Sequence, residues 1–151
     1  MIKIICVGKI KEKYLVDAID EYTKRMSKFT KLEVIELQDY DYGNENVNKE
    51  KECEAIVKHI NNKDYIITME IEGVMLSSIE FSNKIENILL NNSNITFIIG
   101  GSYGLADEIK KMSNFKLSFS KMTFPHQLFR VILLEQIYRA YKIINNESYH
   151  K

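Results

Sequence analysis

The sequence predicts an α/β fold in which a mainly parallel sheet carries helices on both faces. Short β-branched apolar runs alternate along the chain with longer segments whose apolar residues recur at helical spacing. This alternation is typical of right-handed strand–helix–strand units, which place ligands outside the carboxyl ends of the strands. The length of 151 residues suits one core, and no repeat, low-complexity tract or linker interrupts the chain. We therefore expect a single domain spanning residues 1–151.

The first half of the chain alternates strand and helix twice. A β-branched run predicts a strand over 2–7, and apolar residues at helical spacing predict a helix over about 12–27. Period-two alternation over 32–37 predicts a half-exposed strand. The polar stretch 39–48 is predicted to be a loop, and a charged helix is predicted from there to about residue 60.

The second half repeats the alternation. The run 65–69 predicts a buried strand, and Ser77 or Ser78 can cap a helix that ends near Leu90. The most continuous apolar run, 95–99, predicts a strand that ends directly in two glycines. The remaining elements are predicted to be a short helix, a strand, the longest helix and a polar tail, over about 106–112, 115–119, 125–144 and 145–151.

Composition and charge narrow the class of protein. Hydrophobic residues make up 45% and charged residues 28%, as in ordinary folded domains. No segment approaches the roughly 18–20 uncharged apolar residues of a membrane span, so we expect no membrane partner. Cys6 and Cys53 show no metal or disulfide-framework spacing, which favours a reducing, cytoplasmic location.

The net charge of zero conceals an uneven distribution. The balance of Lys and Arg over Asp and Glu is +4 in residues 1–31, −8 in 32–93 and +4 in 94–151. Two basic thirds leave room for a surface that binds anions, although scattered solvated charges explain the pattern equally well.

Two loops at strand ends are candidate ligand sites. The glycines of 100–104 let a backbone turn sharply and approach a ligand, although a tight strand-to-helix turn explains them equally well. The segment 119–126 joins the last strand to the last helix. There Thr123 is expected to cap the helix and Pro125 to lie in its first turn. His126 is more often a structural than a catalytic residue in such a position.

The last helix carries a wide apolar arc. At 100° per residue the arc covers about 180° of the helix surface, more than one core face needs. Its members are Phe129, Leu133, Leu134, Ile137, Tyr138, Ala140, Tyr141 and Ile144. The surplus predicts a second subunit and therefore a homodimer. Arg130 projects near the middle of the arc and must be paired there, as an interfacial ion-pair residue or as an active-site residue.

The tail ends in Tyr149, His150 and Lys151. An aromatic ring, an imidazole and a cation are groups that contact RNA bases and phosphates, although a frayed terminus is the default for any chain end. The histidines and cysteines lie too far apart in sequence for metal-ligand spacing, and no nucleophile elbow is present. We therefore expect neither a bound metal nor a covalent nucleophile.

The motifs together resemble a known family. Their order and spacing, over essentially the whole chain, are similar to those of the RlmH-type large-subunit ribosomal RNA methyltransferases of the SPOUT (α/β-knot) superfamily. They are VGKIKEKY at 7–14, ITMEIEG at 67–73, FIIGGSYG at 97–104, LSFSKMTFPHQLFRVILLEQIYRAYKI at 117–143 and the terminal YHK.

The resemblance implies a fold, a reaction and a set of cofactor contacts. It implies a dimer in which the region of about 95–145 threads a trefoil knot around S-adenosylmethionine. It also implies methylation of N3 of a pseudouridine in 23S rRNA, on the assembled ribosome. The cofactor contacts implied by motif are Met69, Gly100, Phe119, Ser120, Lys121, Met122, Thr123 and Phe124.

Methyl transfer to a nitrogen sets the catalytic requirements. The acceptor must be held in line with the methyl group, and its proton must leave, which calls for a base or a group that stabilises the anion. His150, Arg130 and Lys151 are the candidate catalytic residues, with His126 in reserve. Tyr149, His150 and Lys151 are also expected to contact the RNA, in their own subunit's site or in the opposite one.

Two other functions stay open at this point. One is a non-catalytic nucleotide- or RNA-binding α/β module, because a fold does not fix a function. The other is a Rossmann-type methyltransferase, which calls for a glycine-rich loop after the first strand. The residues there are Gly8, Lys9, Ile10 and Lys11, which make a poor one.

Overall fold

Strands and helices alternate along the whole chain, as the sequence pattern predicts. The computed structural model describes residues 1–151. Its elements are β1 (Ile2–Val7), α1 (Lys13–Met26), β2 (Leu32–Leu37), α2 (Glu45–Val57), β3 (Asp64–Met75), α3 (Ser78–Leu89), β4 (Asn94–Ile99), α4 (Asp107–Met112), β5 (Phe115–Ser118) and α5 (His126–Ile144).

The five strands form one parallel sheet in the order β2-β1-β4-β3-β5. This confirms the predicted fold class. Because all strands run the same way, their carboxyl ends lie along one edge of the sheet. The loops that follow β1, β3, β4 and β5 therefore meet at that edge, where parallel α/β sheets bind ligands.

Helices cover both faces of the sheet. The larger core lies under α1, α3 and α5 and includes Met26, Phe81 and Leu133, while the smaller one lies under α2 and α4 and includes Ile56 and Ile109. Alternate residues of β1 point into the two cores, since successive side chains of a strand face opposite sides. None of the helices is both long enough and apolar enough to cross a bilayer.

Strand β3 is longer than the predicted 65–69, and its pairing with β5 is interrupted. Met69 and Val74 both pair with Leu117, so the residues between them bulge out of the ladder. Gly73 brings the strand back, because a Cβ there would lie 2.7 Å from the carbonyl oxygen of Lys116. The sequence prediction ended this strand at Met69, where regular pairing stops.

Two helix starts differ from the sequence predictions. Helix α2 begins at Glu45, three residues before the predicted start, because the Asn44 side chain accepts a hydrogen bond from the Val47 N–H and caps it. The expected Thr123 cap is wrong: Pro125 itself occupies the N-cap position of α5, and no side chain caps it. Ser77 caps α3 with a full capping box through Glu80.

The wide apolar arc of α5 is covered within the chain. Helices α1 and α3 both pack against α5, and the sheet lies beneath it. Ile137 is fully buried and Tyr138 is 9% exposed, so the expectation that this arc leaves a surface for a second subunit is wrong for these residues. The homodimer itself stays a prediction.

Candidate functional site

A cavity of about 400 Å³ lies at the carboxyl edge of the sheet, at the ends of β3, β4 and β5. Its size is within the usual range for small-molecule sites. Four segments form most of its walls: the β3 bulge (69–72), the turn after β4 (99–105), the segment from β5 onward (117–124), and the start of α5 with His126 and Phe129. Residues 99–105 are called the glycine loop below.

The glycine loop folds back on itself beside β4. Gly101 and Gly104 form an antiparallel bridge, with the Gly104 N–H donating to the Gly101 carbonyl at 3.0 Å. Gly104 has a φ of +79°, which favours glycine. A Cβ on Gly100 would lie 2.8 Å from the backbone carbon of Gly104, so this close return requires a residue without a side chain.

A second loop is shaped by its own serines and by aromatic packing. The Ser118 hydroxyl donates to the Ser120 carbonyl at 3.1 Å, and the Met122 N–H donates to the Ser120 hydroxyl at 3.0 Å. The Phe119 ring lies 5.3 Å from the ring of Phe129, between centroids. These contacts join the loop to α5 and give the cavity an aromatic wall.

The cavity wall also carries acidic groups that the sequence analysis missed. Glu70 and Glu72 come from the β3 bulge. Thr68 donates to Glu70 at 2.6 Å, and Lys110 lies 3.9 Å from the same carboxylate. The sequence signal for these residues was the motif ITMEIEG, but only the bulge brings its carboxylates to the cavity.

Seven of the eight residues expected to contact the cofactor line this one cavity, and Lys121 does not. The seven are Met69, Gly100, Phe119, Ser120, Met122, Thr123 and Phe124. Lys121 lies in the same loop with its side chain exposed. Their roles toward a cofactor stay predictions.

His126 is the basic candidate that borders the cavity in its own chain. Burial and the neighbouring Arg130 cation lower the pKa of His126, and the more distant Asp39 carboxylate opposes them. The imidazole is therefore neutral at pH 7 and able to accept a proton.

Arg130 follows Phe129, the last residue of α5 that lines the cavity, and is 2% exposed. Its Nη2 donates to the carbonyls of Val7 at 2.9 Å and Gly8 at 2.7 Å, and its Nη1 pairs with Glu36 at 2.8 Å. The guanidinium thus contacts the ends of β1 and β2 and is not part of the cavity wall. Its Nε has no hydrogen-bond partner.

The tail turns back along α5. Asn146 has a φ of +55°, the left-handed conformation that ends many helices and reverses the chain. The Tyr149 ring packs edge-on against Tyr138 at 5.0 Å between centroids, and its hydroxyl donates to Glu135 at 3.1 Å. Burial, and then the hydrogen bond to Glu135, raise the pKa of Tyr149 to about 12.

His150 and Lys151 are exposed, and neither lines the cavity of its own chain. An Arg139 N–H faces the Nδ1 of His150 at 3.2 Å, and because a guanidinium only donates, that nitrogen accepts. Arg139 is thirteen residues beyond His126 on α5, about 20 Å along the helix axis. The structure therefore separates the predicted tail residues from the cavity within one chain.

Comparison with known proteins agrees with this architecture. A probable methylase family protein from Haemophilus influenzae Rd KW20 has a similar fold, with a TM-score of 0.58 and 13% identity over 99% of this chain and 70% of that one. Two curated relatives are 54% identical over 99% of both chains. They are Ribosomal RNA large subunit methyltransferase H from Clostridium botulinum (strain Okra / Type B1) and Ribosomal RNA large subunit methyltransferase H 1 from Clostridium perfringens (strain SM101 / Type A).

The family model described as "Predicted SPOUT methyltransferase" matches residues 1–150. The match and the two relatives cover essentially the full chain, including every segment that lines the cavity. The chain belongs to the SPOUT methyltransferase family.

Proposed function

We propose that this chain transfers a methyl group from S-adenosylmethionine to N3 of a pseudouridine in 23S rRNA, acting on the assembled ribosome in the cytoplasm. The observation that carries the proposal is the cavity at the carboxyl edge, where the glycine loop and the 117–124 segment meet. The names of the full-length relatives support large-subunit rRNA as the substrate.

The cavity residues fit S-adenosylmethionine by shape and charge. Met69, Leu105 and Phe119 offer apolar surface to a purine ring, and the glycine loop leaves backbone groups free of side-chain cover. The carboxylates of Glu70 and Glu72 complement the positive charge of a sulfonium and an ammonium group. When bound there, the cofactor supplies an activated methyl group.

The chain's own residues then have to position the acceptor and handle its proton. We propose that His150 and Lys151 remove the acceptor proton or stabilise the anion that results. His126 is the reserve candidate, because its imidazole is neutral and borders the cavity. We assign Arg130 a positioning role, since its guanidinium is engaged by Val7, Gly8 and Glu36.

We further propose that the protein acts as a homodimer in which each tail completes the neighbouring site. Two features support this: the tail lies far from its own cavity, and two apolar side chains that border the cavity are exposed to solvent. Ile71 is 48% exposed and Met122 is 75% exposed. A second subunit would cover both. The trefoil knot, formed by the region of about 95–145, belongs to the same proposal.

Mixed dimers test the shared site. A chain lacking residues 149–151 is paired with a full-length Gly100→Val chain, whose added side chain would collide with the Gly104 backbone. Each homodimer should be inactive on ribosomes, and the mixture should recover activity because one site in the mixed dimer has both parts. A mixture as inactive as its parents would contradict sharing between subunits.

Calorimetry tests cofactor binding separately. Wild-type protein should bind S-adenosylhomocysteine, and Gly100→Val should not, because the glycine loop cannot close around a side chain at that position. The tail-deleted chain is the matched control and should bind as wild type does. A wild-type protein that does not bind would overturn the proposed cofactor.

Two observations bear on the alternative functions. A Rossmann-type methyltransferase would use the loop after β1, but the glycine loop that lines the cavity follows β4. A non-catalytic nucleotide- or RNA-binding module has no need of both a small-molecule cavity and an RNA surface beside it. Methyl transfer is therefore the function that the geometry supports best.

A further inference from the structure

The motif VGKIKEKY contains a loop that does not line the cavity. Residues 8–12 connect β1 to α1 at the carboxyl edge of the sheet. Strand β1 lies beside β4, and a Cβ on Gly101 would come within 3.1 Å of the Val7 side chain. The loop therefore adjoins the glycine loop at the side of the cavity, although it contributes no wall residue.

Buried Arg130 and exposed Glu36 together fix the backbone of this loop. Arg130 donates to the carbonyls of Val7 and Gly8, and the Glu36 carboxylate accepts both from Arg130 at 2.8 Å and from the Ile10 N–H at 2.7 Å. Four hydrogen bonds, three of them from one buried guanidinium, hold a surface turn. An arrangement of this kind pre-organises whatever the loop presents outward.

The loop presents cations and an aromatic ring to solvent. Lys9 and Lys11 are exposed, and neither ammonium group forms an ion pair. Lys13 pairs with Asp17, while the Tyr14 ring is 70% exposed at the start of α1. The acidic side chain of Glu12 lies between the cations in sequence and is exposed as well.

Free ammonium groups and an exposed tyrosine are the two kinds of contact that hold RNA. Cations bind the phosphates, and aromatic rings stack on unpaired bases. We propose that the segment 9–14 is an RNA-docking edge of the site, in which Lys9 and Lys11 contact phosphates, Tyr14 stacks on a base, and Arg130 and Glu36 hold the loop in place. This rests on the proposed function and names the surface that binds its substrate.

Charge variants at two ends of the sheet test the docking edge. Lys9→Gln/Lys11→Gln removes two cations there, and Lys58→Gln/Lys63→Gln removes two exposed cations beside the start of β3, at the opposite edge. Binding to ribosomes carrying unmethylated rRNA is measured against salt concentration. We expect the first variant to bind about tenfold more weakly at low salt, with its log–log salt slope reduced by about 1.5, and the control to match wild type.

Tyrosine variants test the stacking contact. Tyr14→Ala should weaken ribosome binding about fivefold or more, whereas Tyr14→Phe keeps the ring and should bind as wild type does. Tyr42→Ala removes another exposed ring, 60% exposed in the polar loop before α2, and is the matched control. All variants should bind S-adenosylhomocysteine normally, because none of these residues lines the cavity.

The outcomes separate this inference from the function on which it rests. If wild-type protein methylates ribosomes and the loop variants behave like their controls, the docking edge is wrong and the proposed function stands. If wild-type protein binds S-adenosylhomocysteine but neither binds nor methylates ribosomes, both are wrong.

Discussion

Glu52 shows how one buried carboxyl connects α2 to the glycine loop. It is 4% exposed, and a Cβ on Gly101 would lie 3.0 Å from its Oε1. Burial, and then the charge of Asp39, raise the pKa of Glu52 to about 7, while Lys49 opposes the shift. The carboxyl therefore keeps its proton in the folded state at a pH where the unfolded chain has lost it.

This shift predicts the pH dependence of stability. A raised folded-state pKa gives stability that is fully present below the unfolded value of 4.5 and is lost as pH rises through about 7. Glu52→Gln mimics the protonated form and should gain in melting temperature over wild type at pH 7–8, with the gain shrinking toward pH 5. Thermal melts across this range check it. A difference that does not vary with pH would contradict the assignment.

The buried pair of Lys3 and Asp64 acts in the opposite sense at the amino edge of the sheet. Burial alone would raise the pKa of Asp64, but hydrogen bonds from the Asn61 N–H, Lys3 and Thr96 outweigh it and lower the pKa. Its contribution to stability is therefore present at neutral pH and is lost as the solution is acidified through that lowered value.

Removing one partner of this pair should be strongly destabilising. Lys3→Met leaves a carboxylate buried without its cation, which costs about 3–5 kcal/mol. Lys13→Met breaks an exposed pair with Asp17 and should change stability very little. Urea denaturation of the two variants measures the difference. Equal midpoints would show that the buried charge of Asp64 does not depend on Lys3.

Among the strands and helices, β3 contributes one wall of the cavity through its bulge. Gly73→Ala would force a Cβ against the Lys116 carbonyl and displace the bulge, so S-adenosylhomocysteine should bind at least tenfold more weakly. Gly43→Ala is the control, since a Cβ there meets nothing within 4 Å and only its φ of +71° is strained. Calorimetry measures the S-adenosylhomocysteine affinity of both variants. Normal binding by Gly73→Ala would show that the bulge is not needed.

The sequence predicts elements better than it predicts their interruptions. Every strand and helix could be found from periodicity, continuous apolar runs and turn residues, because each element buries at least one regular face. The bulge at Gly73 could not, since it depends on the carbonyl of a strand more than forty residues away. The same holds for Arg130, whose partners Val7, Gly8 and Glu36 lie at distant positions in the sequence.

The residues alone indicated two loops of the candidate site, and the family resemblance was needed to favour a ligand site over simple turns. Seven of the residues it singles out line one cavity, although the glycine spacing alone leaves a simple turn equally open. Periodicity also led to a wrong prediction for α5, namely that its wide apolar arc leaves a surface for a second subunit. The arc containing Ile137 is wide because α1, α3 and the sheet all cover it. A pattern gives the width of an apolar face, and it does not say which neighbours cover that face.

The molecule as a whole is expected to bind its cofactor without a metal. The cavity wall offers apolar, backbone and carboxylate groups, and no three His, Cys, Asp or Glu side chains converge anywhere in the chain. S-adenosylhomocysteine should therefore bind with the same affinity before and after dialysis against EDTA. Binding that disappears in chelator and returns with added metal would contradict this prediction.

Transfer of a labelled methyl group measures the proposed reaction itself. Wild-type protein is incubated with methyl-labelled S-adenosylmethionine and, separately, with assembled ribosomes, isolated large subunits and free 23S rRNA. The RNA is then digested to nucleosides to identify the product. We predict label in 23S rRNA from assembled ribosomes, as N3-methylated pseudouridine. Label in another nucleoside, or no transfer to any of the three by a protein that binds S-adenosylhomocysteine, would contradict the proposed function.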